Sequence, residues 1–244
     1  IVATGFTVDP QDSTQLLVSY NVLHWDVVKF DIAIYARDGI SPDVRLMAYY
    51  PVSNANDRTP GAHTVSIDAV FLNLAQPGQP AVYDLEKDYF LLAKVDANSE
   101  VEEENELNNE HLFGGGVFLD DQHYIVHVHG TDTPYPAYPV YDKQDIVRLA
   151  VDETKYYVYL NSSGDFDPEH PTPLPPSYSA TYPKTDVQEF HLRTHDGNDR
   201  VLTPQPENIY QVSGIEKPMW VFGGLGHDLI SGGDQPDKLY GGQG

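Results

Sequence analysis

Glycine pairs recur at a fixed spacing near the end of this 244-residue sequence. They begin at Gly223, Gly232 and Gly241, nine residues apart each time, and Asp228 and Asp237 each stand five residues after a pair begins. Glycine permits tight turns in which backbone carbonyls converge without interference from a Cβ atom. An aspartate adds a carboxylate at the same point, and flexible sets of hard oxygen ligands suit Ca²⁺. These residues could therefore coordinate a calcium ion.

The first of these repeats matches a known motif. Residues 223–231 read GGLGHDLIS and fit the nonapeptide G-G-x-G-x-D-x-U-x, in which U is a large apolar residue. The segment 223–244 therefore resembles the calcium-binding repeats of RTX (haemolysin-type) proteins. The resemblance implies that each repeat forms a turn and a very short strand, with two repeats in one coil. Turns 18 residues apart, such as those at Gly223 and Gly241, are then expected to stack and to share a calcium ion.

The ligands of this shared site are implied by the same resemblance. We expect backbone oxygens near Gly223, Leu225, Gly242 and Gly244, together with the carboxylate of Asp228. The sequence stops before position 246, where the motif would place another aspartate, so water is expected to complete the coordination.

Two further aspartates belong to less regular repeats. Asp237 lies in the middle repeat, where Gln235 replaces the third glycine and Pro236 precedes the aspartate. Asp199 ends the string THDGND, which lacks both leading glycines but fits the later positions of the motif. Both aspartates are candidate calcium ligands, and the repeat at Asp199 is expected to begin the coiled segment.

The charge of the chain favours cationic partners. Thirty-seven acidic side chains stand against 14 basic ones, a formal net charge of −23, so nucleic acid and anionic membrane surfaces are poor partners. There is no cysteine, which excludes disulfides and thiolate metal sites. No run of about 18 apolar residues appears, so no membrane span is expected. The chain opens at Ile1 without an initiator methionine or a signal-peptide pattern, as expected of a piece of a longer or processed protein.

Alternating apolar residues predict β-strands in the first part of the chain. The runs QLLVSYNVL, KFDIAIYARDG, HTVSIDAVF and DYFLLAKVD place apolar side chains at alternate positions, and proline, glycine and asparagine separate them. No window shows a sustained 3.6-residue period. The pattern predicts an all-β fold that begins with an antiparallel sandwich over residues 1–113.

An acidic segment follows the last of these runs. Residues 95–110 read VDANSEVEEENELNNE, with six carboxylates between Asp96 and Glu106. The segment could be a cation site, or a solvated turn in which asparagines cap backbone groups. It resembles the C-terminal signature of CARDB (bacterial cell-adhesion-related) domains. That resemblance implies an immunoglobulin-like sandwich acting as a spacer or adhesion module, and it is carried in order by Asp96, Val101, Glu103, Asn105, Glu106, Asn108 and Asn109.

Residues 114–222 show a different pattern of apolar and acidic residues. Short apolar runs alternate with acidic turns, and Asp-x-Val or a close relative recurs at Asp145, Asp199 and later positions. The spacing between these aspartates shortens to nine residues toward the end of the chain. This pattern predicts a parallel β-solenoid (a β-roll or β-helix) that ends in the RTX nonapeptide turns of 223–244. A proline-rich stretch near 161–183 is predicted to be a loop inserted in one coil.

Histidines are the main alternative candidates for chemistry. His123, His127 and His129 could share one strand face and bind Zn²⁺. If Val126 and Val128 pack inward, however, the three histidines face solvent, and this is the arrangement that we expect.

No recognisable catalytic motif accompanies these residues. The string HLRTH at 191–195 lacks the glutamate of the zinc-protease motif His-Glu-x-x-His, and there is no Gly-x-Ser-x-Gly elbow or phosphate-binding glycine loop. Asp165 and Asp167 could form a carboxylate pair or an extra calcium site, but their proline-flanked loop is a loose place for acid–base catalysis. We therefore expect no enzymatic activity.

Together these features predict a calcium-binding structural or adhesive segment of a large secreted or surface bacterial protein. Its expected partners are calcium ions and a cell-surface or matrix ligand, either polysaccharide or protein. One alternative is the non-catalytic region of an exported RTX hydrolase, such as a protease or lipase. Another is a carbohydrate-binding module in the first domain.

Overall fold

The fold is all-β, as the sequence predicts. Within the described residues the regular elements are strands and two short 3-10 helices, Ala55–Arg58 and Lys184–Asp186, and no helix there is long and apolar enough to cross a membrane. The chain divides into two compact units, residues 1–114 and 115–244. The computed structural model describes residues 1–37, 44–69, 89–103, 108–130, 144–162, 178–204 and 214–243.

The first unit consists of two antiparallel sheets. One has the strand order β1-β2-β5 and the other the order β4-β3-β6-β7. The strands are β1 (Val2–Val8), β2 (Gln15–Val22), β3 (Phe30–Arg37), β4 (Val44–Val52), β5 (Gly61–Asp68), β6 (Phe90–Val95) and β7 (Glu110–Leu112).

Alternation in the sequence becomes alternation in burial in this unit. Along β2 every second side chain is buried, including Leu16, Val18 and Tyr20. The Tyr20 ring packs edge-on against Phe30 of β3, with ring centroids 5.3 Å apart, so the two sheets bury their apolar faces against each other. The part of the predicted run HTVSIDAVF from residue 70 onward lies outside the described residues.

The second unit also contains two sheets. Their strand orders are β17-β15-β13-β9-β8 and β12-β11-β10-β14-β16. The strands are β8 (Gly116–Asp120), β9 (Ile125–His129), β10 (Asp145–Val151), β11 (Lys155–Ser162), β12 (Tyr178–Pro183), β13 (Glu189–Arg193), β14 (Arg200–Leu202), β15 (Met219–Phe222), β16 (Leu229–Ile230) and β17 (Lys238–Tyr240).

The sheets of the second unit are mixed, not purely parallel as the solenoid prediction required. Neighbours among β9, β13, β15 and β17 are parallel, as are neighbours among β10, β14 and β16. The pairs β8–β9, β10–β11 and β11–β12 are antiparallel. Two tight turns cause the reversals at β8–β9 and β10–β11. The Asp120 carboxylate accepts the backbone N–H groups of Gln122 and His123, and Asp152 does the same for Thr154 and Lys155.

The proline-rich stretch near 161–183, predicted to be an inserted loop, contains a strand at its end. Residues 178–183 form β12, which pairs with β11, and residues 163–177 lie outside the described residues. The prediction therefore placed the end of the loop several residues too late, because prolines can occupy an edge strand such as β12.

A single apolar core fills the space between the two sheets of the second unit. Both sheets contribute alternate side chains, as a pair of stacked sheets requires. The principal buried members are Val126, Val128, Phe190, Leu192, Met219 and Val221 from one sheet and Val147, Leu149, Val158, Leu160 and Val201 from the other.

Candidate metal centre

Three turns meet at one end of the parallel strands. Residues 194–199 follow β13, residues 223–228 follow β15, and residues 241–243 follow β17. These three strands are neighbours in one sheet and run in the same direction. The turns after them therefore lie side by side at a common edge.

Backbone hydrogen bonds join these turns directly. On one side of the central turn, the Leu225 N–H donates to the His195 carbonyl at 3.0 Å, and the Gly197 N–H donates to the Leu225 carbonyl at 2.8 Å. On the other side, the Gly226 N–H donates to the Gln243 carbonyl at 2.9 Å, and the Gln243 N–H donates to the Gly224 carbonyl at 2.9 Å. The structure thus brings together the turns that begin at 223 and 241, and it places the 194–199 turn on the opposite flank.

Two glycines make this close stacking possible. Gly224 has φ = +86° and Gly242 has φ = +78°, a region that other residues rarely adopt. A Cβ atom on Gly224 would overlap the His195 carbonyl, and one on Gly242 would overlap the Gly224 carbonyl. The glycines of the motif therefore serve both the backbone conformation and the approach of successive turns.

Aspartates at the ends of these turns form a ladder. One carboxylate oxygen of Asp228, Oδ1, accepts the Asp199 N–H at 3.0 Å, and Oδ1 of Asp199 accepts the Asp145 N–H at 2.8 Å. Asp228, just before β16, thus reaches the residue just before the neighbouring β14, and Asp199 reaches the first residue of the next strand in that sheet, β10. Asp228 therefore contacts the 194–199 turn instead of pointing toward residue 241. Asp145 was part of the Asp-x-Val recurrence, but nothing in its sequence context indicated a place at this site.

The second carboxylate oxygens have no such partner. Oδ2 of Asp199 and Oδ2 of Asp228 are buried and accept no hydrogen bond within the described residues. Asp199 is only 1 % exposed. Its pKa is raised to about 8, chiefly by burial; the nearby carboxylates of Asp145 and Asp228 add to the shift, and hydrogen bonding by the Asp145 N–H and the Thr194 hydroxyl opposes it. Burial likewise raises the pKa of Asp228. Buried carboxylate oxygens without a partner are costly unless they are protonated or bind a cation.

Asp237 is in a different situation. Its Oδ1 accepts the Met219 N–H at 2.9 Å and its Oδ2 accepts the Gly233 N–H at 2.6 Å. Its turn precedes β17, whereas Asp228 follows β15, so the two aspartates lie at opposite ends of these parallel strands. Both oxygens of Asp237 are already hydrogen-bonded, so this carboxylate is a less suitable metal ligand than those of Asp199 and Asp228.

The carbonyls expected to act as ligands are only partly available. The Leu225 carbonyl accepts the Gly197 N–H, and the Gly223 carbonyl accepts the Thr194 hydroxyl at 3.1 Å. Each carbonyl oxygen retains a second lone pair. Gly242 lies in the third turn, and Gly244 lies outside the described residues.

Side chains alone do not form a metal cage in the described part of the chain. No group of three or more histidine, aspartate or glutamate side chains there could hold a metal ion. A cation at these turns would need backbone oxygens beside Asp199 and Asp228, and Ca²⁺ accepts such mixed oxygen ligands. Asp165 and Asp167 lie outside the described residues.

The acidic run in the first unit contains at least one aspartate with a structural role. The buried Asp96 carboxylate accepts the N–H groups of Glu100 and Val101 at 2.8 and 3.0 Å, which closes a turn. Glu100 forms an ion pair with Lys29, and Glu103 forms one with the amino terminus. Asn105 and Glu106 lie outside the described residues. The contacts favour a turn over a cation site.

The expectation that the histidines face solvent is wrong for two of them. His127 and His129 are fully buried on the sheet face opposite Val126 and Val128, and both rings stack on Phe118. Burial lowers the pKa of both imidazoles well below the ordinary value. Both faces of this sheet are covered, so the inward packing of the valines does not expose the histidines.

His123 and His191 have acidic partners. Nδ1 of the partly exposed His123 lies 2.7 Å from Asp120, and Nε2 of the buried His191 lies 3.0 Å from Glu189. Burial lowers the pKa of His191, and the hydrogen bond that His191 donates to Glu189 opposes that shift in part. These contacts give both histidines structural roles.

Comparisons with protein-family models, with curated proteins and with solved structures found no match for this chain. The resemblances to RTX repeats and CARDB domains are carried by the motifs themselves.

Proposed function

We propose that this chain is a calcium-binding structural and adhesive segment of a secreted or surface protein. In this proposal an immunoglobulin-like unit precedes a second unit whose parallel part, from β13 onward, is a calcium-stabilised β-solenoid, and neither unit is an enzyme. The observation that carries the proposal is the pair of buried, unpartnered oxygens on Asp199 and Asp228, beside stacked glycine turns.

A hard divalent cation fits this environment better than the alternatives. Protonation would neutralise each of the two carboxyls separately and would make no use of the carbonyl oxygens of the stacked turns. Calcium would neutralise the two carboxylates and draw on backbone carbonyls nearby. Because the turns are rich in glycine and lose much conformational entropy when they order, the binding energy would also be folding energy.

The path of the chain supports the solenoid part of the proposal. From β13 onward it passes alternately between the two sheets, and β15, β16 and β17 each pair in parallel with the strand two before them in the chain. Repeating units of this kind stack in one dimension, which suits a stalk or spacer. The acidic net charge of −23 suits a segment that binds calcium.

Calorimetric titration of the full chain with Ca²⁺ and, separately, with Mg²⁺ tests the proposal. We expect Ca²⁺ to bind and Mg²⁺, which demands a tighter octahedral site, to bind much more weakly. Asp199→Asn and Asp228→Asn are each expected to weaken calcium binding about tenfold or more, because each removes ligand charge. Asp237→Asn is the matched control and should leave the affinity unchanged. Absence of calcium binding, or equal losses in all three variants, would show that the turns are not the site.

A further inference from the structure

A polar cleft lies at one end of the first unit, where three loops meet. Its volume is about 460 Å³. The loops are those between β2 and β3, between β4 and β5, and between β6 and β7. The polar side chains that line it include Lys29, Asp31, Tyr49, Arg58, Asn98 and Glu100.

The charges in this cleft cancel. Lys29 and Arg58 oppose Asp31 and Glu100, in a chain whose net charge is −23. Lys29 and Glu100 form an ion pair. An anionic ligand would meet the carboxylates and the overall negative field, and a cation would meet Lys29 and Arg58. The cleft is therefore complementary to a ligand without net charge.

The walls supply hydrogen-bonding groups in fixed positions. The Asn98 amide donates to Asp31 and to the Tyr49 hydroxyl, each at 2.9 Å. The loop that carries Asn98 is held in place because the buried Asp96 carboxylate accepts two of its N–H groups. The Ala97 N–H also donates to the Asp31 carbonyl at 3.0 Å. A site held in this way loses little entropy when it binds.

One exposed aromatic ring lines the cleft, and another is carried by a loop that leads to it. Tyr49 lines it and is 42 % exposed, and Trp25, on the loop that leads to Lys29, is 82 % exposed. The same loop is tied to the cleft because the Val27 N–H donates to the Arg58 carbonyl at 2.9 Å. A tryptophan this exposed gains stability only when something covers its face.

We propose that this cleft binds an uncharged saccharide. Sugars present hydroxyl groups that both donate and accept, which suits amide, carboxylate and guanidinium groups set side by side. They also present flat C–H faces, which pack on exposed Tyr and Trp rings. This proposal does not depend on calcium at the turns of the second unit.

The test is an amide-shift titration of the full chain, in EGTA, with neutral hexasaccharides of glucose, mannose and xylose. Hexagalacturonate serves as the acidic arm. We expect at least one neutral saccharide to shift the amides of Lys29, Tyr49 and Asn98. Trp25→Ala and Tyr49→Ala, both at exposed positions, should each weaken binding about three- to tenfold.

Tyr124→Ala, which removes a comparably exposed ring from the second unit, is the matched control and should bind normally. The proposal is overturned if no neutral saccharide shifts these amides, if only the acidic saccharide binds, or if both cleft variants bind as well as the unchanged chain. Because EGTA is present throughout, failure here leaves the calcium proposal untouched, and failure of calcium binding leaves this one untouched.

Discussion

At the scale of single residues, three aspartates of similar sequence context have different surroundings. Asp199 accepts the Asp145 N–H with one oxygen, and Asp228 accepts the Asp199 N–H in the same way. The second oxygen of each is buried and accepts no hydrogen bond within the described residues. Asp237 uses both oxygens, because the Gly233 N–H of its own turn takes the second one. The difference arises from which N–H groups face each carboxylate, and the repeat motif does not specify that.

The raised pKa of Asp199 leads to a prediction about pH. Its carboxyl changes from an ordinary pKa of 3.8 to about 8 in the folded, calcium-free chain. The folded state therefore keeps a proton that the unfolded state loses, and the stability from this group falls as pH rises from about 4 to about 8. We expect urea unfolding in EGTA to show this fall in the unchanged chain relative to Asp199→Asn.

The comparison with Asp199→Asn isolates this group. The buried histidines act in the opposite direction, since their lowered pKa values reduce stability as pH falls below their ordinary value, but they are present in both proteins. Calcium should reduce the difference, because the cation takes the place of the proton. Parallel pH profiles for the two proteins in EGTA would contradict the assignment.

At the scale of elements, strands with strict alternation could be predicted from the sequence. The predicted runs correspond to β2, β3, β5 and β6, with starts within two residues and ends within three. β1 and β4 escaped prediction because bulges break their alternation. In the β1–β2 pair the register shifts between Ala3 and Gly5. In the β3–β4 pair it shifts between Ile34 and Tyr35 of β3, and opposite this point two consecutive residues of β4, Met47 and Ala48, are both buried.

The candidate site was predictable only in part. The 18-residue spacing placed the turns at 223 and 241 on one side, and the structure brings them together. The 194–199 turn also lies beside them, but this could not be predicted from the nine-residue period. Asp199 and Asp228 are 29 residues apart, and 29 is not a multiple of nine. The antiparallel direction of the strands beside the parallel ones was not predicted. An aspartate begins both the hairpin turns and the turns between parallel strands, so the sequence does not distinguish the two.

A glycine substitution tests the stacking of the turns. Gly224→Ala should lower the free energy of unfolding by about 1–3 kcal/mol, because it forces a left-handed conformation on alanine and pushes a Cβ atom into the His195 carbonyl. Gly241→Ala is the matched control, since no heavy atom lies within 4 Å of its Cβ position. That variant should change stability by no more than about 0.5 kcal/mol. Urea unfolding of the calcium-loaded chain gives both values, and similar losses would mean that the turns are not tightly stacked.

At the scale of the whole molecule, the two units have different sources of stability. The first buries alternating apolar side chains from both of its sheets, such as Leu16, Val18 and Ile34. The end of the second is poorer in buried apolar surface, since Leu225, Leu229 and Leu239 are about half exposed. Glycine turns and converging oxygens replace apolar packing there, so under the calcium proposal order at this end would depend on neutralising charge.

Removal of calcium should therefore affect the two units differently. In hydrogen exchange of the full chain, amides of 194–199, 223–228 and 241–243 are expected to lose protection in EGTA, whereas amides in β2, β3 and β6 keep theirs. Calcium at 100 times its dissociation constant adds about 2.7 kcal/mol to the stability of the state that binds it, which slows exchange about a hundredfold. Sodium chloride at equal ionic strength is the control for general screening, because an acidic chain gains some stability from any salt. Equal protection with and without calcium would mean that the turns order by themselves. A comparable loss in β2, β3 and β6 would mean that the first unit also depends on the cation, and the carboxylates near Asp96 would then have to be reconsidered as ligands.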